Sequence, residues 1–343
     1  MGTKTAVLGA SGFAGAELLR ILEAHPEIEV TAAAASSQVG RSLADAYPGL
    51  PSLAQLSFIS VKEALEADVD IVFSSLPHKA SMDLFASEDG PRVVDLGGDF
   101  RLDDAVQYKD WFGEPHADPE ALGSWVYGLT EFHRDRVAEA RRVANPGCYS
   151  TAALLALLPL VAAGMIEPER IHIDAKSGVS GAGRAGGEGF DFCSANENLS
   201  PYKVTGHKHI AEIEQELARA AGREARVSFV PHLVPMNRGL LASCVAQAVP
   251  GSSAGDFAGV ISAAYRDEPF VRVLDTALPQ TKRLSGTNFA EVAVRFDART
   301  GRVLAFGAID NLGKGAAGQA VQNANLMVGL PETTGLGDRP LVP

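Results

Sequence analysis

The chain has 343 residues, of which 46% are hydrophobic and 21% charged, and its 30 Lys and Arg against 42 Asp and Glu leave a formal net charge of −12. At roughly 100–200 residues per domain this length predicts about two domains, and the apolar share excludes a largely disordered chain. The acidic balance argues against a nucleic-acid binder, whose affinity comes from clustered Lys and Arg, and no apolar run of about 18 residues exists to span a bilayer.

Met1-Gly2-Thr3-Lys4 leads straight into an apolar strand without a signal peptide's h-region. Cys148, Cys193 and Cys244 are too scattered for a disulfide framework, so a cytoplasmic protein is expected. Over the first 145 residues, strands are predicted at 5–9, 28–35, 56–60, 70–76, 92–96 and 142–144. Helices are predicted at 14–24, 79–87 and 131–140. Apolar strands separated by helices point to an α/β fold, a Rossmann-type doubly wound parallel sheet covered on both faces.

The texture changes after Cys148. Residues 149–163 read as an apolar helix kinked at Pro159. Strands are predicted at 170–177, 226–234, 240–249, 270–274, 290–297 and 302–310, the last two flanking the hairpin turn Ala298-Arg299-Thr300-Gly301. This portion is expected to be α+β with a mostly antiparallel sheet. Residues 315–330 read as a helix and 331–343 as an irregular tail.

Gly9-Ala10-Ser11-Gly12-Phe13-Ala14-Gly15 joins the first strand to the first helix, as a dinucleotide fingerprint does. Gly9 permits a tight turn, Gly12 lets backbone approach a pyrophosphate, and Gly15 allows close packing. The helix N-terminus offers N–H groups to phosphate. NAD-specific domains usually carry an acid after the second strand. Here Ser36, Ser37 and Arg41 follow instead, a set suited to a 2′-phosphate, so NADP is expected.

Asn145-Pro146-Gly147-Cys148-Tyr149-Ser150-Thr151 stands where strand gives way to helix. A thiol at a helix N-terminus has its pKa lowered, which makes Cys148 a candidate nucleophile. Asn145 is placed to hold such a site, and Ser150 and Thr151 to donate to an oxyanion or phosphate. Cys244 and Cys193 read as core residues.

Together, segments 9–15 and 145–151, Ser177-Gly178-Val179-Ser180-Gly181-Ala182-Gly183-Arg184, Gly206-His207-Lys208-His209, Pro231-His232-Leu233-Val234-Pro235 and 311–318 resemble one family. It is the N-acetyl-γ-glutamyl-phosphate reductase family of arginine biosynthesis, within the aspartate-semialdehyde and glyceraldehyde-phosphate dehydrogenase superfamily. The resemblance implies NADPH-dependent reduction of a small-molecule acyl phosphate to an aldehyde. Cys148 would carry a thioester, and His207 or His209 would be the general acid/base. Of the other six of the eight histidines, His25, His116, His133 and His172 sit in surface-like or strand contexts, and His232 is a substrate-pocket or core candidate. Spacing leaves the choice between His207 and His209 open, with His207 preferred. Nucleotide contacts are further expected from Ser11, Phe13, Ser75, Leu76, Pro77, Ser180, Gly181 and, as the resemblance implies, Asn311. Substrate contacts are expected from Asn145, Ser150, Thr151, His232 and Arg238, from Arg101 after a strand end, and from Arg184 at the end of a Gly-rich loop. The last segment is expected to rejoin the nucleotide domain. That gives 1–147 with 311–343 as the NADP-binding domain, and 148–310 as the catalytic, substrate and oligomerisation domain of a homodimer or homotetramer. A zinc reading of Cys193, His207, His209 and Glu212 fails on spacing, so no metal is expected. Two rival readings are the same chemistry on a carrier-linked aminoadipyl phosphate of lysine biosynthesis, and an NADP-binding regulator. The first lacks the basic cluster an acidic carrier needs, and retention of Cys148 with the His pair counts against the second.

Overall fold

The apolar run after Lys4 forms β1 (Thr3–Leu8), and Gly9, at φ 74°, turns the chain into α1 (Phe13–Glu23). In the computed structural model, which describes residues 2–85, 90–184, 186, 190–337 and 339–341, the chain divides into two units. One is Met1–Pro146 with Ala316–Gly337, the other Gly147–Gly315 with Asp338–Pro343.

The first unit continues through β2 (Ile28–Ala34), α2 (Leu43–Ala46), α3 (Val61–Glu66), β3 (Ile71–Ser74), α4 (Ala80–Leu84) and β4 (Arg92–Asp95). It then adds α5 (Ala105–Phe112), β5 (Val126–Tyr127), α6 (Thr130–Glu139) and β6 (Arg142–Ala144). Its strands form a six-stranded sheet in the order β2-β1-β3-β4-β6-β5, with every pair parallel. Alternate residues of β1 serve opposite faces: Val7 joins a core with Leu18, Leu22, Phe73 and Val321, whereas Ala6 and Leu8 join Val72, Phe100 and Trp125. Each such large side chain, fully buried, contributes roughly 1.5–3 kcal/mol. Local chemistry sets the helix starts. Ser60 and Glu63 close a reciprocal capping box on α3, and Asp104 caps α5, which Gly113 ends at φ 82°.

The second unit opens with α7 (Cys148–Ala162), buried all round and continuous through Pro159. It continues through β7 (Ile166–Gly178), α8 (Phe192–Ala195), β8 (Ser200–Pro201), α9 (His209–Ala221), β9 (Val227–Val234), β10 (Leu240–Ala248) and α10 (Ala254–Ala264). It finishes with β11 (Val271–Val273), β12 (Ala290–Asp297) and β13 (Arg302–Ile309). The seven strands run β11-β12-β13-β10-β7-β9-β8. The pairs β11–β12 and β7–β9 are parallel and the rest antiparallel. Helix α7 lies so close to β13 that a Cβ on Gly307 would stand 2.0 Å from the Ala152 carbonyl oxygen. The final segment begins as a π-helical turn (Gly313–Ala317) and becomes α11 (Gly318–Met327), which belongs to the first unit.

Several expected elements differ. Residues 56–60 form no strand: Ile59 meets β2 through two backbone bonds, and Ser57 bridges Ser42. Helix α4 is a single short turn, and the expected helix end at residues 86–87 lies outside the described residues, as do parts of the tail. Cys193 is exposed on α8 rather than a core residue, while Cys244 is buried in β10, which pushes its thiol up to about 12. His25 and His116 are buried rather than surface-like. The His25 ring accepts the Ile28 N–H at 2.9 Å and meets Asn325 at 3.1 Å. Among the described residues no helix is long and apolar enough to cross a membrane.

Candidate active site

The glycine turn of the first unit is built for close backbone approach. A Cβ on Gly9 would lie 2.5 Å from the Ser75 carbonyl oxygen, and one on Gly15 would lie 2.3 Å from the Gly9 oxygen. The turn can therefore coil tightly and present the start of α1, where free N–H groups attract a pyrophosphate. Gly12 is the N-cap residue, flanked by half-buried Ser11 and Phe13. Ser75, just past β3, donates its hydroxyl to the Leu8 carbonyl at 2.8 Å, and Tyr47 donates to the Ala10 carbonyl at 3.0 Å. These two brace the turn, and Tyr47 carries no motif that would reveal its role. Leu76 is half-buried and Pro77 exposed. After β2, Ser36, Ser37 and Arg41 are exposed, and Arg41 donates to Gln38 and to the Asp45 carbonyl, both at 3.1 Å. No acid occupies the end of β2. The set fits a phosphorylated dinucleotide, with backbone for the pyrophosphate and hydroxyls plus one guanidinium for the ribose phosphate.

At the C-terminal end of β4, Asp95 is fully buried and accepts from the Ser81 hydroxyl at 2.9 Å. Burial, with the nearby Asp99 charge, pushes its carboxyl up to about 6. Arg101 is buried and donates to the Leu96 carbonyl at 2.7 Å. Asn145 is buried as well. Its amide donates to the Ala316 carbonyl at 3.2 Å and accepts from Asn323 at 3.1 Å. Asn145 thus ties β6 to the returning helix, satisfying the polar atoms of a buried amide.

Cys148 is the first residue of α7 and half-buried. Gly315 makes room for it, since a Cβ there would stand 2.8 Å from the Cys148 Cβ. Glu212, 3% exposed on α9, accepts the Gly147 N–H at 3.0 Å and lies 3.8 Å from His209 Nε2. One carboxylate therefore bonds the residue before the thiol and stands close to a histidine. His207 Nδ1 accepts the His209 N–H at 3.2 Å, and the two imidazoles stand 4.6 Å apart, edge to face. Tyr149 packs against both, with ring separations of 5.5 and 5.9 Å. Its hydroxyl donates to the His232 carbonyl at 3.1 Å and accepts from Tyr202 at 3.2 Å. Burial pushes the Tyr202 hydroxyl up to about 12 and Tyr149 in the same direction, with the Cys148 charge adding to both, so both remain neutral donors. Sequence reasoning met Glu212 only in the discarded zinc grouping. Its position three residues after His209, on one helix face, was the available signal.

The other expected contact residues lie in the same unit. Thr151 donates back to the Gly147 carbonyl at 3.1 Å, while Ser150 is fully buried and its Oγ meets no protein partner among the described residues. Arg238 forms a two-pronged ion pair with buried Asp310, at 2.8 Å from its terminal nitrogen. His232 faces Asp174 at 3.1 Å on the sheet. Asn311 donates to the Ser180 hydroxyl at 2.9 Å and accepts the Gly239 N–H at 2.7 Å, so it ties the loop of Ser180 and Gly181 to β10. Arg184 is exposed at the end of that loop.

Known proteins match this organisation. A family model described as semialdehyde dehydrogenase, NAD binding domain, matches residues 4–140. A second, semialdehyde dehydrogenase, dimerisation domain, matches 148–311. Aspartate semialdehyde dehydrogenase II from Vibrio cholerae has a similar fold, with a TM-score of 0.71 and 20% identity over 96% of this chain and 99% of that one. The Candida albicans aspartate semialdehyde dehydrogenase, solved with NADP, gives 0.68 at 20% identity, over 96% of this chain and 99% of that one. An N-acetyl-γ-glutamyl-phosphate reductase of Geobacter sp. (strain M21) is 46% identical over 99% of both chains. The reductase of Pelotomaculum thermopropionicum is 45% identical over the whole of both. The chain belongs to the N-acetyl-γ-glutamyl-phosphate reductase family.

Proposed function

We propose that the chain reduces N-acetyl-L-glutamyl 5-phosphate to N-acetyl-L-glutamate 5-semialdehyde with NADPH, releasing phosphate. The observation that carries this reading is the Glu212 carboxylate, which accepts the Gly147 N–H, one residue before Cys148, and stands 3.8 Å from His209 Nε2. The Cys148 thiolate, favoured at the start of α7, attacks the acyl carbonyl. The carbon–sulfur bond forms, phosphate departs with its bonding pair, and a thioester remains. A bound nicotinamide supplies the hydride that takes this thioester to the aldehyde level. His209 donates a proton to the developing oxyanion and takes it back as the thiohemiacetal releases the aldehyde and the Cys148 thiolate.

His209 stands beside a carboxylate, Glu212, at 3.8 Å. Glu212 beside Nε2 favours a proton there and makes Nδ1 the basic nitrogen, as an orienting carboxylate does in a triad. His207, which accepts a backbone N–H on Nδ1, carries its neutral-form proton on Nε2 and serves as a donor to substrate oxygen. The first unit is the nucleotide domain, with Gly9, Gly12 and the start of α1 for the pyrophosphate and Ser36, Ser37 and Arg41 for the 2′-phosphate. Arg101 and Arg184 supply positive charge for the substrate's carboxylate and phosphate.

The second unit also carries the partner surface. One face of its sheet is covered by α7. The opposite face presents half-buried Leu241, Ser243 and Val245 of β10 beside Leu304 and Phe306 of β13. An uncovered face with apolar side chains needs a partner, and a second copy of this chain fills that role as a homodimer or as half of a homotetramer.

The reading is tested by following NADPH absorbance with purified protein, N-acetylglutamate semialdehyde, NADP⁺ and phosphate. Phosphate-dependent oxidation with a clear preference for NADP⁺ over NAD⁺ is expected. Equal use of both nucleotides would remove the role given to Ser36, Ser37 and Arg41, and inactivity with this aldehyde would remove the substrate.

A further inference from the structure

The loop between β3 and α4 holds one backbone conformation that its residue type disfavours. Lys79, an exposed residue and the N-cap of α4, sits at φ 77° and ψ −23°. That left-handed region is the habitat of glycine and, less often, asparagine, because a Cβ crowds the carbonyl. Three contacts hold it. Both carboxylate oxygens of Asp99 accept the Lys79 N–H, at 3.0 and 2.9 Å. The His78 ring pairs with Asp99 and lies 4.6 Å from the Phe112 ring. The Lys79 ammonium reaches Glu114 at 2.6 Å. Asp99 is fully buried, and nothing in the proposed chemistry uses it. Burial alone would raise its carboxyl, yet the His78 ring and the Lys79 N–H hold it below the usual carboxylate range, so it is ionised at neutral pH.

We infer that Asp99 is a positioning residue for nucleotide binding: by gripping the Lys79 N–H it holds the preceding Ser75-Leu76-Pro77 segment in the shape that receives the dinucleotide. The inference rests on the proposed role of that segment in cofactor binding. The segment is already anchored at its other end, where Ser75 bonds the Leu8 and Gly9 carbonyls of the glycine turn. Asp99 fastens the far end. A loop pinned at both ends binds without first paying to find its shape, whereas a loop that is competent only part of the time binds more weakly by that fraction.

The experiment is calorimetric titration of NADP⁺ into the full-length protein, with kcat measured at saturating NADPH. Among Lys79→Gly, Lys79→Asn and Lys79→Val, which all lose the Glu114 pair, affinity should follow tolerance of the left-handed region: Gly tightest, Asn intermediate, Val weakest. The Val form should bind about tenfold more weakly than the Gly form, equivalent to about 1.4 kcal/mol, with kcat within about twofold. Asp99→Asn should weaken binding by a similar factor, and adding Lys79→Gly to it should recover most of the loss. The Lys79 series alters only an exposed position, so it reads out even if Asp99→Asn fails to fold. A flat Lys79 series, or an Asp99→Asn loss that Lys79→Gly does not recover, overturns the inference while leaving the nucleotide reading intact. A wild-type protein that binds no NADP⁺ overturns both.

Discussion

Glu212 carries two jobs on one carboxylate, and they separate cleanly by chemistry. Accepting the Gly147 N–H requires only an oxygen, whereas the role proposed for Glu212 beside His209 requires a charge. Glu212→Gln keeps the first and removes the second. Turnover should fall by roughly 10²–10⁴-fold, the range of general acid–base contributions, with KM little changed and the melting temperature close to wild type. His209→Asn should cost about as much, and the double variant little more, because two residues that act as a unit are not additive. Single losses that multiplied in the double variant would separate Glu212 from His209.

At the scale of elements, α11 is held in the first unit through polar contacts as well as through Val321 and Ala324. Asn323, fully buried, donates to the Gly128 carbonyl at 2.9 Å and to Asn145 at 3.1 Å, and accepts from the Thr130 hydroxyl at 2.7 Å. Gln319 donates to the same Thr130 hydroxyl at 2.7 Å. Truncating one member strands the others: Asn323→Ala should cost about 2–4 kcal/mol, since each unsatisfied buried group costs ~1–3 kcal/mol. Thermal melting checks this, and an unchanged melting temperature would show that the network is not what seats α11. The helix itself was legible from its apolar period, but this network was not. Nothing in Gln319-Ala320-Val321-Gln322-Asn323 announces which amide meets which carbonyl 178 residues away. The longer strands of both sheets were legible because apolar runs and turn residues are local signals. Residues 56–60 misled because an apolar alternation needs a neighbour along its full length to become a strand, and β2 offers only Ile59 a pairing. The two-residue β5 is too short to leave a period at all. Cys148 was legible as a candidate nucleophile from the Pro-Gly before it and the apolar helix after it. Asp99 and His78 were not, since their meaning lies in a backbone angle at Lys79.

For the whole molecule, the second unit's sheet makes a prediction about assembly. Cross-strand neighbours Val245 and Leu304, and Ser243 and Phe306, stand half-buried on the face opposite α7. Placing a charge there, as in Phe306→Asp, should leave the unit folded while desolvation of the new carboxylate disfavours pairing. Sedimentation analysis should find the wild type as a dimer or tetramer and Phe306→Asp shifted toward monomer. A monomeric wild type would contradict the assignment of this face.

The proposed chemistry turns on a covalent bond to one sulfur. Protein mixed with N-acetylglutamyl phosphate in the absence of NADPH, quenched in acid and measured by intact mass spectrometry, should gain the mass of one N-acetylglutamyl group. Peptide mapping should place it on Cys148, and Cys148→Ser should gain nothing and turn over no substrate. An unmodified wild-type protein that still reduces the acyl phosphate on addition of NADPH, or a Cys148→Ser variant with full activity, would contradict it.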